Sequence, residues 1–312
     1  MSEKKRSAVF DYLAYLGVRI LVCVFQALPF DLACRLANGL AWVMYKIDKR
    51  HREAAVENFR IAFPGRYSEA EIDLLVRAVF RHFCVILIEF MHLPRRFHLH
   101  NYKQFAQMHE GERLVQVLLS GRPVLFVTGH FGNWEMGGYA LGLFGIPTHS
   151  IARPLDNPYL DDFLRSLRER SGQKLFAKRG DFENIEKLLA SGGKIATLGD
   201  QDAGQRGLFV DFFGCPASTH KAVALLALEH NVPMVVVGTP KIDGIYRIWA
   251  YDAIFPEDYQ NAKDPVREIT ERFTKGLEAM IRQAPEQYFW LHRRWKHTPP
   301  ERRKKKKAPL AA

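Results

Sequence analysis

A chain of 312 residues, 47% hydrophobic and 25% charged, is excluded from global disorder and is long enough for one large α/β domain with an N-terminal appendage. The net charge of +11 points to an anionic partner: a membrane surface, a phosphorylated lipid or a nucleic acid. Six consecutive basic residues, Arg302 to Lys307, with Glu301 give the terminal segment +5 of that total, which solubility alone also explains. Cys23, Cys34, Cys84 and Cys215 form no C-x-x-C pair and sit among apolar neighbours, as reduced core thiols in a cytosolic environment do.

The first element is the apolar run Tyr12 to Leu28, which follows Lys4-Lys5-Arg6 and is interrupted by Arg19 and Gln26. It approaches the ~20 residues that span a bilayer, and no small-residue cleavage site follows it. Pro29 breaks it. Asp31 is the expected N-cap of a second helix whose apolar stripe is Leu32, Leu36, Leu40, Val43, Met44 and Ile47, closed by Lys46, Lys49, Arg50 and Arg52. The pair reads as a membrane anchor, either a span plus an interfacial helix or a monotopic hairpin; two ordinary core helices are the alternative. Basic residues on both sides leave its orientation open.

Residues 50–120 read as helical, with a capping box at Ser68-Glu-Ala-Glu71 opening a helix that Pro94 ends. Beyond Pro123 strands alternate with helices. Expected strands are 124–128, 148–152, 173–176, 194–198, 234–239 and 247–250; expected helices are 134–144, 158–171, 182–190, 219–230 and 265–283. The fold class is therefore α/β: a largely parallel central sheet flanked by helices, with an N-terminal hydrophobic helical anchor. The expected division is an anchor over 1–50, the α/β domain over 51–298 and a basic disordered tail over 299–312.

Several chemistries lack their signature. There is no Gly-x-Ser-x-Gly elbow, no Gly-x-x-x-x-Gly-Lys loop and no Gly-x-Gly-x-x-Gly turn, which argues against a serine hydrolase and leaves nucleotide-cofactor chemistry without an anchor. His98-x-His100 has no further ligands nearby in sequence, so neither a metal nor a cofactor is expected. The positive signals fall at strand ends, where sites of parallel sheets lie. After Val124–Thr128 comes Gly129-His-Phe-Gly-Asn-Trp-Glu135, an imidazole and a carboxylate suited to general-base work on a hydroxyl. Gly129 and Gly132 are expected to let a substrate approach the backbone and to leave amides facing an oxyanion. A strand-capping core histidine is the alternative. Arg153 follows the next strand and suits a phosphate or carboxylate; a surface arginine before a turn is equally consistent. Asp200 and Gln201 follow the 194–198 strand and suit polar head groups, or form a tight turn. The aromatic run Phe209–Pro216 suits an acyl groove, a membrane contact or the core. Arg293, Arg294 and Lys296 among Tyr288, Trp290 and Trp295 suit a membrane interface, with nucleic-acid stacking as the competing reading. Arg168 and Arg170 add positive charge.

Together these stretches resemble the bacterial late acyltransferases of lipid A biosynthesis, within the wider lysophospholipid acyltransferases. The resemblance runs over roughly residues 10–296. It rests on Gly129–Glu135 as a His-x4-Asp/Glu motif, Arg153-Pro with Asn157-Pro158, Gly199-Asp-Gln201, Phe212–Ala217, Trp290 with Arg293–Lys296, and Ala54–Phe59 with Phe63-Pro. It implies an O-acyltransferase on the cytoplasmic side of the inner membrane. The donor would be an acyl thioester on acyl carrier protein or coenzyme A, and the acceptor a hydroxyl of an anionic glycolipid. On that basis His130 is expected as the base and Glu135 as the acid that orients it. Arg153, Asn157, Arg168, Arg170, Asp200 and Gln201 are expected to bind substrate. A different glycolipid or lysophospholipid acceptor, and a non-catalytic basic lipid-binding protein, are the alternatives; a nucleic-acid partner is not expected.

Overall fold

The computed structural model describes residues 7–177 and 182–299; the basic segment from 300 onward lies outside them. Helix α1 (Ala8–Ala27) ends because Pro29 forces Leu28 into extended backbone. Among the described residues α1 alone is long and apolar enough to cross a membrane, with a mean hydropathy of 1.9 and 11% of its window buried. Helix α2 (Phe30–Ile47) is capped at Pro29, so Asp31 sits in its first turn instead of at the N-cap. Its bulky stripe, Leu32, Leu36, Leu40, Val43 and Ile47, is exposed, whereas Ala33, Ala37, Ala41 and Tyr45 are buried.

Helix α3 (Lys49–Ala62) is capped by Asp48, and α4 (Glu69–Arg96) opens on the expected capping box. Helix α4 does not stop at Pro94. A proline in the last turn removes one N–H, and Leu93 and Phe97, buried with Tyr139 and Tyr246, hold that turn in place. The stretch read as helical up to 120 contains β1 (Ala106–His109), an edge strand with one buried residue and hence no alternation to betray it, before α5 (Glu112–Leu119).

The α/β part continues with β2 (Val124–Thr128), α6 (Trp134–Leu143), β3 (His149–Ala152), α7 (Pro158–Glu169), β4 (Lys174–Ala177), α8 (Phe182–Ala190) and β5 (Lys194–Leu198). A hairpin follows, β6 (Leu208–Phe212) and β7 (Cys215–Thr219), then α9 (Ala222–Glu229), β8 (Met234–Gly238), β9 (Lys241–Ile242), β10 (Ile245–Ile254) and α10 (Pro265–Ile281). Among the described residues eight strands form one sheet, in the order β1-β10-β8-β2-β5-β3-β4 with β9 beside β10. All neighbours are parallel except those that β10 makes with β8 and β9. The near-continuous apolar strands β2 and β8 lie at its centre, buried on both faces.

The aromatic run at 209–216 is the β6–β7 hairpin, turning at Phe213 and Gly214, both with positive φ as a two-residue hairpin requires. Phe212 and Phe213 are core residues, in contact with Trp290 and Trp295. The C-terminal aromatic and basic segment is turned inward at Trp290 and Arg294, while Arg293 and Lys296 are exposed. Trp290 is fully buried, and Arg294 is buried with its guanidinium over the Phe212 ring while it donates to Ser218 O and Thr219 Oγ1. The expected place at a membrane interface is thus corrected for Arg294. The two terminal nitrogens of this buried cation meet a carbonyl and a hydroxyl and its plane an aromatic face, while Nε has no hydrogen-bond partner among the described residues.

Candidate active site

Parallel pairing of β2 and β5 sets Thr128 beside Leu198. Each strand is followed by a glycine and then by a polar residue, His130 in one case and Asp200 in the other. Those two side chains meet. Asp200 Oδ2 accepts from the His130 backbone N–H at 2.8 Å, and Oδ1 lies 2.9 Å from the imidazole Nδ1. An ionised carboxylate only accepts, so Nδ1 carries the proton and Nε2 carries the lone pair. Burial pushes the Asp200 pKa up, but the imidazole, both hydrogen bonds and the Arg294 charge outweigh it and hold the acid below the usual range. Burial likewise disfavours the imidazolium, and Asp200, helped by Glu135, more than offsets this and raises the His130 pKa above 6.5.

The acid that faces His130 Nδ1 is therefore Asp200, whereas the sequence pattern pointed to Glu135. Glu135 lies in the first turn of α6 and turns to α7, where Arg168 donates to it through Nε at 3.0 Å and through Nη2. The Trp134 indole donates to the same carboxylate at 3.2 Å. Burial lowers the Arg168 pKa, but the bond to Glu135 reverses this and the guanidinium is held more firmly charged.

Glu135 and Arg168 stand at an apolar cleft between α6 and the sheet, with about 920 Å³ of empty space including its mouth. Helix α6 sets Gly137 and Gly138 on this side, packed closely on Thr239 and Gln173, while Met136 and Tyr139 pack on the other side. Thr128 and Leu198 line it near the strand ends; Phe126 and Ala196, two residues further down, line it at depth together with Leu114 and Leu141.

The loop between β2 and α6 is held by the protein's own backbone. Gly132 N–H donates to Gln287 O at 3.0 Å, Asn133 N–H to Thr239 O at 2.8 Å, and Phe289 N–H to His130 O at 3.0 Å. Gly132 thus does not offer a free amide to an oxyanion. Its φ is +60°, and a Cβ there would stand 2.1 Å from Thr239 O. Gly132→Ala is expected to destabilise the fold by at least the ~1–3 kcal/mol of such backbone strain. Thermal unfolding measures this, and an unchanged melting temperature would contradict the close packing described here.

The other expected site residues are less convergent. Arg153 is exposed and bonds to Asp156 at 3.1 Å. Asn157 is buried and caps α7 through Leu160 N–H, while its amide donates to Asp11 O of α1 at 2.8 Å. Both ends of its side chain are committed to structure, which corrects its expected role in substrate binding. Arg170 is exposed, and Gln201 is half-buried directly after Asp200. Among the described residues no group of three or more His, Cys, Asp or Glu is placed to hold a metal. Sequence reasoning missed His82, Glu89, Thr239 and Gln287, all of which hold the loop; the equal strand-Gly-polar pattern at 128–130 and 198–200 was the available signal for the His130–Asp200 pair.

An oriented imidazole and a buried ion pair thus stand beside an apolar cleft at one edge of a parallel sheet. The model of the bacterial lipid A biosynthesis acyltransferase family matches residues 2–297, and the chain belongs to that family and is an acyltransferase. It is 28% identical to a lipid A biosynthesis lauroyltransferase of Escherichia coli (strain K12) over 297 residues, 92% of each chain. It is 26% identical to the palmitoleoyltransferase of the same organism over 294 residues, again 92% of each. A phosphatidylinositol mannoside acyltransferase of Mycolicibacterium smegmatis is 26% identical over 189 residues, 59% of this chain and 60% of that one.

Proposed function

We propose that this acyltransferase is membrane-associated and moves a fatty acyl chain from an acyl thioester, on acyl carrier protein or coenzyme A, to a hydroxyl of an anionic glycolipid, a lipid A precursor. The observation that carries this is the His130–Asp200 pair at the edge of the sheet that also bears the apolar cleft. His130 Nε2 takes the proton from the acceptor hydroxyl. The oxygen attacks the thioester carbonyl, the C–S bond breaks, and the thiolate leaves with the proton returned by the imidazolium. Asp200 fixes the tautomer and stabilises the transient charge. Glu135 aims Arg168 at the cleft, where that cation meets the developing oxyanion. Arg153 and Arg170, exposed, meet the anionic groups of donor or acceptor, and Gln201 orients the acceptor.

The membrane side is formed by α1 and the exposed stripe of α2. Helix α1 lies on α7, the helix that carries Arg168, through Tyr12 and Tyr15 against Tyr159 and Phe163. The cytoplasmic face follows from the donor, because carrier-protein and coenzyme A thioesters are cytosolic. The names of the relatives support a glycolipid acceptor. Comparing the lipids of cells with and without the gene tests this. A glycolipid lighter by one acyl chain is expected without it; an unchanged lipid profile opposes the proposal.

Chain length follows from cleft depth. Ala196→Phe fills the region beside Phe126, and each methylene then left outside loses about 0.8 kcal/mol of burial, roughly fourfold in preference. Competition between acyl donors of different length is expected to shift toward shorter chains; an unshifted preference would place the acyl chain elsewhere.

A further inference from the structure

Glu89 is a carboxylate in the middle of α4, 8% exposed, that none of the steps above uses. Three donors converge on it. Lys241 Nζ lies 2.8 Å from Oε1, and Oε2 accepts from the Tyr246 hydroxyl and from Asn133 Nδ2, the latter at 3.0 Å. Asn133, fully buried, is the N-cap of α6, its Oδ1 accepting from Met136 N–H at 3.0 Å. An amide side chain fits its site in two orientations that differ by exchange of O and N. A carboxylate on one side selects the orientation that presents Nδ2 to it and leaves Oδ1 to cap the helix. Burial, with Glu89 next, pushes the Tyr246 phenol well above its usual pKa, so it stays protonated and donates.

The same helix holds the loop at a second point. His82, seven residues earlier and so on the same face of α4, lies with Nε2 3.2 Å from Gly132 O. Burial pushes the His82 pKa down to about 4, so it is neutral near pH 7 and donates through Nε2. Helix α4 thus grips Gly132 and Asn133, two of the three residues between His130 and the first turn of α6.

We propose that Glu89 is a positioning residue for the active site. By fixing the Asn133 amide it sets the start of α6 and hence the places of Glu135 and, through the shared loop, His130. The proposal rests on the acyl-transfer reading above. Its expected signature is a larger loss of turnover than of affinity, because the groups displaced act on the reacting atoms while the sheet wall of the cleft, Phe126, Thr128, Ala196 and Leu198, stays in place. A shift of about 1 Å at reacting groups lowers rate by up to about a hundredfold.

The test uses the full-length protein and the variants Glu89→Leu, Glu89→Gln and Tyr246→Phe. Steady-state kinetics of acyl transfer are measured with hydrogen exchange of the peptide containing Met136. Glu89→Leu is expected to lower kcat by about 10–100-fold with KM within about twofold, and to speed exchange at the start of α6. Glu89→Gln, whose amide oxygen still accepts from Asn133, is expected to restore most of both readouts, with Tyr246→Phe between the two. Should Glu89→Leu fail to fold, the comparison of Glu89→Gln with Tyr246→Phe carries the test. Turnover near wild-type in Glu89→Leu overturns the proposal. So does a change confined to KM, or equal damage in the Gln and Leu variants. The exchange readout needs no activity, so a wild-type protein that transfers no acyl chain counts against the acyl-transfer reading, and unchanged exchange in Glu89→Leu counts against the positioning role.

Discussion

Replacing His130 by alanine is expected to lower kcat by about 10²–10⁴-fold, the range of a general base, and to leave folding and membrane association unchanged. The imidazole is half-buried at the sheet edge, between Trp134 and Phe289, so its removal opens a small space at the surface of the site and no void in the core. The loop backbone keeps its bonds to Thr239 and Gln287. KM for the donor is expected to stay close to wild-type, since the apolar cleft is untouched. Far-UV circular dichroism and vesicle sedimentation serve as controls. Turnover within about threefold of wild-type would remove His130 from the chemistry.

Asp200→Asn is expected to be nearly as damaging, about 10³-fold or more, for two reasons. The amide is neutral, so a charge no longer stabilises the imidazolium. It also keeps one oxygen for the His130 N–H and turns its NH2 toward Nδ1, favouring the tautomer with the proton on Nε2, where a base needs a lone pair. The pH dependence carries the sign. In the wild-type enzyme Asp200 raises the His130 pKa, and the base is competent only above that value, so kcat climbs as pH rises through a point above 6.5. In Asp200→Asn burial, which disfavours the imidazolium, meets less opposition, and the acid limb moves to lower pH even as the plateau falls. A limb shifted by Glu135→Gln and untouched by Asp200→Asn would return the orienting role to Glu135.

The contrast between those two acids shows what the chain discloses in one dimension. His130 was legible because an apolar run, Pro123 to Val127, ends in Thr-Gly-His, and a buried parallel strand must deliver its next residue to the sheet edge. Glu135 looked like its partner because it is near in sequence. But Asn133 caps a helix there, and the first turn of that helix carries Glu135 toward α7 and Arg168. The true neighbour of His130 stands 70 residues away and arrives by strand pairing, which composition does not reveal.

Elsewhere the limits have similar causes. The α2 stripe was legible at its bulky positions, yet α2 packs through its alanines, whose small size lets two helices approach closely, and the bulky side is the exposed one. Arg294, among Tyr288, Trp290 and Trp295, reads in sequence as part of a membrane interface. Its burial depends on acceptors at Ser218 and Thr219, supplied by a hairpin that reads as an aromatic loop. Asn157-Pro158 marked a helix start correctly, but the Asn157 side chain binds Asp11 O and not a ligand.

The most direct test is acyl transfer itself. Purified full-length protein in anionic vesicles is given a lauroyl thioester of acyl carrier protein and, in parallel, of coenzyme A, with an under-acylated phosphorylated glucosamine disaccharide lipid as acceptor, and the products are weighed by mass spectrometry. The account predicts an acceptor heavier by one acyl chain, ester-linked, formed by the wild-type protein and not by His130→Ala. An acceptor of unchanged mass with either donor, while the protein remains folded and bound to the vesicles, would contradict it.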